Sequence, residues 1–68
     1  MELTLNNKKK LFAEPTLTVQ ALLDIEAPDK QKGIAVAVNN SVIPKAHWNN
    51  YTLSPNDYIL IISATQGG

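Results

Sequence analysis

The amino-acid sequence predicts an α+β fold in which one main helix packs on one face of a mixed sheet of four to five strands. Three patterns lead to this prediction. Residues 1–5 alternate apolar and polar side chains with the period of a half-buried strand. Residues 18–26 carry apolar side chains at helical spacing, and residues 58–63 are the most apolar run, as in a central strand. With 68 residues in all, the chain is expected to be a single domain, residues 1–68.

A β-hairpin is predicted at the beginning of the chain. Residues 6–7 are both asparagine, which tolerates the positive φ of a tight hairpin turn, so the turn is expected there or one residue later. The returning strand is expected over residues 9–13, with Leu11 and Ala13 facing the core. Pro15 is expected to end this strand, because proline has no N–H to donate to a sheet.

The main helix is predicted over residues 18–26. Thr18 has the side chain of an N-cap, and Leu17 and Leu22 are spaced as a hydrophobic staple around it. Pro28 disfavours helical geometry in the residue before it, so the helix is short. The side chains that form its apolar stripe are Val19, Leu22 and Leu23.

The second half of the chain is expected to contribute three more strands. Residues 34–38 place bulky β-branched side chains on one face and alanines on the other. An asparagine turn leads to a short strand at residues 42–43, and Trp48 anchors the helical turn or loop that follows. A β-turn at residues 54–57 precedes the last strand. The order β-β-α-β-β-β, with an apolar last strand, is the pattern of a β-grasp, the ubiquitin-like fold.

Composition restricts the chemistry that the chain can perform by itself. It has no cysteine and no arginine, and six lysines balance six acidic residues. A thiolate site and a nucleic-acid partner are therefore not expected. His47 is the single histidine, so no metal site is expected either. No segment approaches the ~18 apolar residues of a membrane span, and the expected compartment is the cytoplasm.

The last three residues, Gln66-Gly67-Gly68, point most directly to a function. Glycine has no Cβ, so this segment can lie extended in a channel too narrow for other residue types. An ATP-using partner can convert the α-carboxylate at its end into an acyl-adenylate, which sulfur or nitrogen then attacks. We expect residues 65–68 to be a flexible tail, Gly68 to be the modified residue, and Gly67 and Gln66 to be its spacer.

Five stretches match one protein family in the same order along nearly the whole chain. They are Thr18-Val19-x-x-Leu22-Leu23, Gly33 to Asn39, Val42-Ile43-Pro44-Lys45-x-x-Trp48, Asp57-x-Ile59 and Ala64-x-Gln66-Gly67-Gly68. The set resembles the ThiS family, the sulfur carriers of thiazole formation in thiamine biosynthesis. Asn40 and Asn56 stand where this family usually has glycine. Asparagine is the next residue best suited to positive φ, so we expect both turns to be kept.

The resemblance implies a protein substrate, not an enzyme. A ThiF-type adenylyltransferase would use ATP and Mg²⁺, neither of them bound by this chain, to form the acyl-adenylate of Gly68. Sulfur from a persulfide on another protein would displace AMP and leave a thiocarboxylate, and a ThiG-type thiazole synthase would take that sulfur. A molybdopterin-type sulfur carrier, a ubiquitin-like protein modifier and a regulatory binding module are the alternatives. The free protein is expected to be a monomer.

The strand at residues 58–63 is apolar on both faces, whereas one helix covers only one face of a sheet. The family's pattern places Ile59 and Ile61 towards the helix. The side chains of the other face would then form a docking surface for the partner enzymes. Alternatively, strand twist or the segment 44–50 covers this second face. The residues predicted to form the docking surface are Leu60, Ile62, Ala35 and Ala37.

Overall fold

The computed structural model describes residues 1–63, which form a five-stranded mixed sheet with one α-helix on one face. The strands are β1 (Glu2–Leu5), β2 (Lys8–Leu11), β3 (Ile34–Val38), β4 (Ser41–Val42) and β5 (Tyr58–Ser63), the helix is α1 (Val19–Glu26), and a short 3-10 helix spans Lys45–His47. The sheet order is β2-β1-β5-β3-β4. Only the β1–β5 pair is parallel among these strands. The predicted β-grasp fold and the central position of the last strand are confirmed.

The tight turn of the N-terminal hairpin lies at the first of its two predicted positions. Leu5 lies opposite Lys8, so residues 6–7 alone form the turn, with φ values of 49° and 69°. Both central residues of a type I′ turn have positive φ, and this turn matches the twist of the strands that it joins. The strand therefore begins one residue earlier than predicted, and it ends at Leu11, before Pro15.

This short turn reverses the predicted orientation of β2. Side chains opposite each other on paired strands lie on the same face, so Lys10, opposite Leu3, faces the helix. The prediction that Leu11 and Ala13 face the core is wrong, because both are exposed, Leu11 to 83%. Phe12 is the buried residue instead, and its N–H donates to the Met1 carbonyl at 2.8 Å.

Helix α1 begins and ends as its sequence signals predicted. The Ala21 N–H donates to the Thr18 hydroxyl at 3.1 Å, which confirms the N-cap. The Ala27 N–H donates to the Leu23 carbonyl at 2.7 Å and closes the last turn directly before Pro28. The three residues of the predicted apolar stripe are all buried.

One apolar core lies between α1 and the sheet, and no polar side chain among residues 1–63 is buried. Trp48 is a core anchor, as predicted, and its indole N–H donates to the buried Ile43 carbonyl at 2.9 Å. The core side chains are Leu3, Leu5, Phe12, Leu17, Val19, Leu22, Leu23, Val36, Val38, Ile43, Trp48, Leu53 and Ile59. All of them belong to the core on the helix side of the sheet. The other face of the sheet has no covering layer among the described residues.

Candidate functional site

The two faces of β5 are distinguished by its pairing with β3. Ile59 and Ile61 lie opposite the buried Val38 and Val36 on the helix side. Ile59 is fully buried, and Ile61 packs partly buried against the core. The alternate residues of β5 point to the other face, so the predicted orientation of the strand is confirmed.

The four residues predicted as a docking surface are neighbours on this second face. Leu60 lies directly opposite Ala37, and Ile62 lies directly opposite Ala35. Ile62 is 49% exposed, whereas the other three are half-buried. The alanines end at Cβ, so the surface is low along β3 and rises over β5.

Val42 adds a fifth apolar side chain to this surface. It lies opposite Ala37 on β4 and is 70% exposed. Leu60, Ala37 and Val42 thus form one row across three strands, spaced by about 4.8 Å from strand to strand. We call the surface made by Ala35, Ala37, Val42, Leu60 and Ile62 the open face.

Sequence reasoning did not assign Val42 to the docking surface, although a signal was present. A two-residue turn at Asn39 and Asn40, with φ values of 51° and 72°, places Ser41 opposite Val38. The next residue, Val42, must then share the face of Ala37. The short strand had been predicted at residues 42–43, one residue later than β4.

The segment 44–50 does not cover the open face. Its Trp48 side chain is buried in the core on the helix side, and the Trp48 carbonyl accepts the Gln20 N–H at the start of α1 at 3.0 Å. The alternative in which this segment closes the second face of the sheet is therefore wrong.

An ion pair and two hydrogen bonds to a carboxylate lie around α1. Lys10 and Glu26 form an ion pair at 2.7 Å between β2 and the helix. The side chains of Gln31 and Gln20 each donate to the Asp24 carboxylate at 2.9 Å, and these bonds lower the pKa of Asp24 below its ordinary value, Gln31 contributing most. By contrast, the open face is built from aliphatic side chains alone.

The part of the chain that the structure describes has neither a metal-binding cluster nor a membrane-spanning helix. Residues 1–63 contain no group of three histidine, aspartate or glutamate side chains that could hold a metal ion. Within the same residues, no helix is long and apolar enough to cross a membrane.

The open face lies beside the point where the chain continues towards Gly68. Ile62 precedes Ser63, the last described residue, and the predicted site residues Gln66, Gly67 and Gly68 lie outside the described residues. Five further residues span at most about 17 Å when fully extended. Any reaction centre that holds Gly68 must therefore come within that distance of the end of β5.

A comparison with models of protein families identifies the family to which this chain belongs. The model of the ThiS family matches residues 1–68. The chain belongs to the ThiS family. It is 31% identical over 51 residues to the sulfur carrier protein ThiS of Escherichia coli strain K12, a match that covers 75% of this chain and 76% of that protein.

Two solved structures share the fold of this ThiS-family chain. The crystal structure of the thiamine biosynthesis protein ThiS from Geobacter metallireducens has a TM-score of 0.88 at 23% identity, over 100% of both chains. The solution structure of a thiamine biosynthesis protein from the same organism has a TM-score of 0.82 at 22% identity, over 100% of this chain and 88% of that one. These likenesses confirm the β-grasp.

The two departures from the family's usual residues keep the expected backbone. Asn40 and Asn56 have φ values of 72° and 70°, the conformation that glycine adopts most readily. Both turns are therefore kept with asparagine, as predicted.

Proposed function

We propose that this ThiS-family chain is a sulfur carrier of thiamine biosynthesis and that the α-carboxylate of Gly68 carries the sulfur. The match to the family over residues 1–68, which includes the Gln66-Gly67-Gly68 segment, is the observation that supports this most. In this proposal the chain is a cosubstrate acted on by partner enzymes in the cytoplasm, and it is a monomer between encounters.

The chemistry begins with a carboxylate, which is anionic, resonance-stabilised and a poor electrophile. In the proposed cycle, a ThiF-type adenylyltransferase binds ATP and Mg²⁺, and an oxygen of Gly68 attacks the α-phosphorus as pyrophosphate leaves. The resulting acyl-adenylate has AMP as a good leaving group. The terminal sulfur of a protein persulfide attacks the acyl carbon and displaces AMP, which gives an acyl disulfide. A thiol then attacks the inner sulfur of the former persulfide, and the S–S bond breaks to release the thiocarboxylate and leave a disulfide between the thiol and the donor protein. A ThiG-type thiazole synthase consumes this sulfur.

The open face is the proposed docking surface for these enzymes. A specific protein interface buries roughly 800 Å² on each partner, which is more than a short segment ending in Gln66, Gly67 and Gly68 offers. The partner must therefore also contact the domain within reach of the segment. Exposed apolar side chains lie at this place, on β5 and on the two strands beyond it.

Adenylation in vitro tests the proposal. Incubation with a ThiF-type enzyme, ATP and Mg²⁺ is expected to release pyrophosphate and to give an adenylated chain in the intact mass spectrum. Removal of Gly68 should abolish the reaction because the shortened chain no longer brings a carboxylate to the reaction centre. Gly67→Phe should abolish it because the added side chain does not fit a channel that accepts only glycine. The melting temperature should stay unchanged, since the change lies beyond β5. Adenylation of the truncated chain at the normal rate would refute the proposed role of Gly68.

A further inference from the structure

We propose that Asn6 is a positioning residue that holds the end of β5, the strand from which the chain continues to Gly68, in the backbone conformation that a partner enzyme binds. The proposal deepens the proposed function and rests on it for the enzymatic consequence. The Asn6 side-chain oxygen accepts the Ile61 N–H at 2.8 Å, and its amide group donates to the Ile61 carbonyl at 3.3 Å. One side chain thus binds both backbone groups of a residue 55 positions away.

These two bonds extend the sheet beyond the end of β1. The parallel pairing of β1 with β5 ends where Leu5 lies opposite Ile59, and the Asn6 N–H donates to the Ile59 carbonyl at 2.9 Å. The chain then turns away into β2, so no backbone group of β1 reaches Ile61. A primary amide has a carbonyl oxygen that accepts and an N–H that donates, as a peptide group does. The Asn6 side chain therefore continues the hydrogen bonding between β1 and β5 as far as Ile61, which lies two residues before Ser63.

The turn geometry alone does not require asparagine at this position. Asn6 has a φ of 49°, which glycine adopts at lower cost but without an amide to offer. Asn39 occupies the equivalent first position of the β3–β4 turn, with a φ of 51°. Its side-chain oxygen accepts the Tyr58 N–H at 3.0 Å. The two turns thus place an amide on each end of β5, Asn39 at the beginning and Asn6 at the end.

The Asn6 contact determines how much order a partner must impose on the end of β5. Without it, Ile61 would lose its hydrogen bonds on the β1 side and keep only the pairing with β3. Strand ends with fewer hydrogen bonds open more readily. A partner would then have to order this backbone when it binds, and ordering one additional residue weakens binding roughly tenfold.

A pair of matched variants tests the proposal. Asn6→Gly and Asn39→Gly each keep a residue suited to positive φ and remove one amide from β5, at opposite ends. Amide hydrogen exchange is measured at Ile61 in the free protein, and KM and kcat are measured for adenylation of the carrier by a ThiF-type enzyme. We expect Asn6→Gly to speed exchange at Ile61 and to raise KM by about tenfold, with kcat unchanged. Asn39→Gly should leave both KM and Ile61 exchange near the wild-type values.

The other outcomes overturn one claim at a time. If Asn6→Gly changes neither Ile61 exchange nor KM, Asn6 does not position the strand end. If both variants raise KM equally, the effect is a general loss of stability and the positioning role is refuted. If the wild-type chain is not adenylated at all, the proposed function fails, and exchange at Ile61 alone still decides whether Asn6 holds the end of β5.

Discussion

At the scale of single residues, asparagine takes the place of glycine in three turns of this chain, at residues 6–7, 39–40 and 56. The asparagines with positive φ among residues 1–63 are Asn6, Asn7, Asn39, Asn40 and Asn56. The sequence predicts the turns, because asparagine is the residue other than glycine that best tolerates this conformation. It does not predict the amide bonds from Asn6 and Asn39 to β5, since these partners are more than fifteen positions away along the chain. Long-range contacts of this kind depend on register, which local signals do not contain.

Asp24 makes a residue-scale prediction about pH. Bonds from Gln31 and Gln20 stabilise its ionised form, so its pKa is lower in the folded chain than its ordinary value of 3.8. This stabilises the fold at pH values above that ordinary pKa, and the contribution is lost as the pH falls through the lowered value. The effect should be small, because the carboxylate is exposed.

Urea denaturation at pH 7 and at about pH 3 measures this contribution. The difference in unfolding free energy between the wild type and Asp24→Asn should shrink at the lower pH. Gln31→Ala should reduce the pH dependence of the chain that keeps Asp24, because it removes the largest cause of the shift. A difference that stays constant between the two pH values would contradict this account.

At the scale of the elements, turn length determines which side chains reach the open face. The two-residue turns after β1 and β3 fix the register of the strands that follow, β2 and β4, and so determine which face of the sheet each of their side chains occupies. One turn sends Leu11 outward, against the prediction, and the other adds Val42 to the open face. Strand periodicity predicted the existence of both short strands, but a shift of one residue reverses which face a side chain occupies. Element type could therefore be predicted from the sequence, whereas orientation required the pairing.

The open face makes a prediction at this scale. Ile62→Glu and Val42→Glu should weaken binding to the activating enzyme or to the thiazole synthase by about 2 kcal/mol each. Stability should change by less than about 1 kcal/mol, because these side chains are already largely exposed. Ile59→Glu is the matched control on the same strand, and it should unfold the domain because it buries an unpaired charge.

Melting temperatures and partner affinities of the three variants separate the roles of the two faces. If Ile62→Glu and Val42→Glu bind the partner as tightly as the wild type does, the open face is not the docking surface. If either of them unfolds while Ile59→Glu stays folded, the faces of β5 have been assigned the wrong way round.

At the scale of the whole molecule, the described part of the chain divides stability and proposed recognition between the two sides of one sheet. The helix side holds the core, the Lys10–Glu26 ion pair and the bonds to Asp24. The other side carries the aliphatic open face on β3, β4 and β5, which is uncovered among residues 1–63 and lies beside the end of the strand that leads to Gly68.

Most of the fold could be predicted because each element has a local signal: an N-cap at Thr18, alternation in β1 and β3, and proline after α1. The open-face residues on β5 and β3 were also predicted: alternation places them on one face of each strand, and the family's pattern indicated which side chains of β5 face the helix. The additional member, Val42, and the contact made by Asn6 were not, because both depend on which residues the sheet brings opposite each other. The proposed chemistry at Gly68 rests on the family match and on the sequence of the tail.

The most direct test of this account is the intact mass of the protein isolated from cells that are making thiamine. A fraction of the chains should have one oxygen replaced by sulfur, and fragmentation should locate the change to Gly68. A Gly68 found only in amide linkage to lysines of other proteins, or a Gly68 that carries no added sulfur in cells that are making thiamine, would contradict the account.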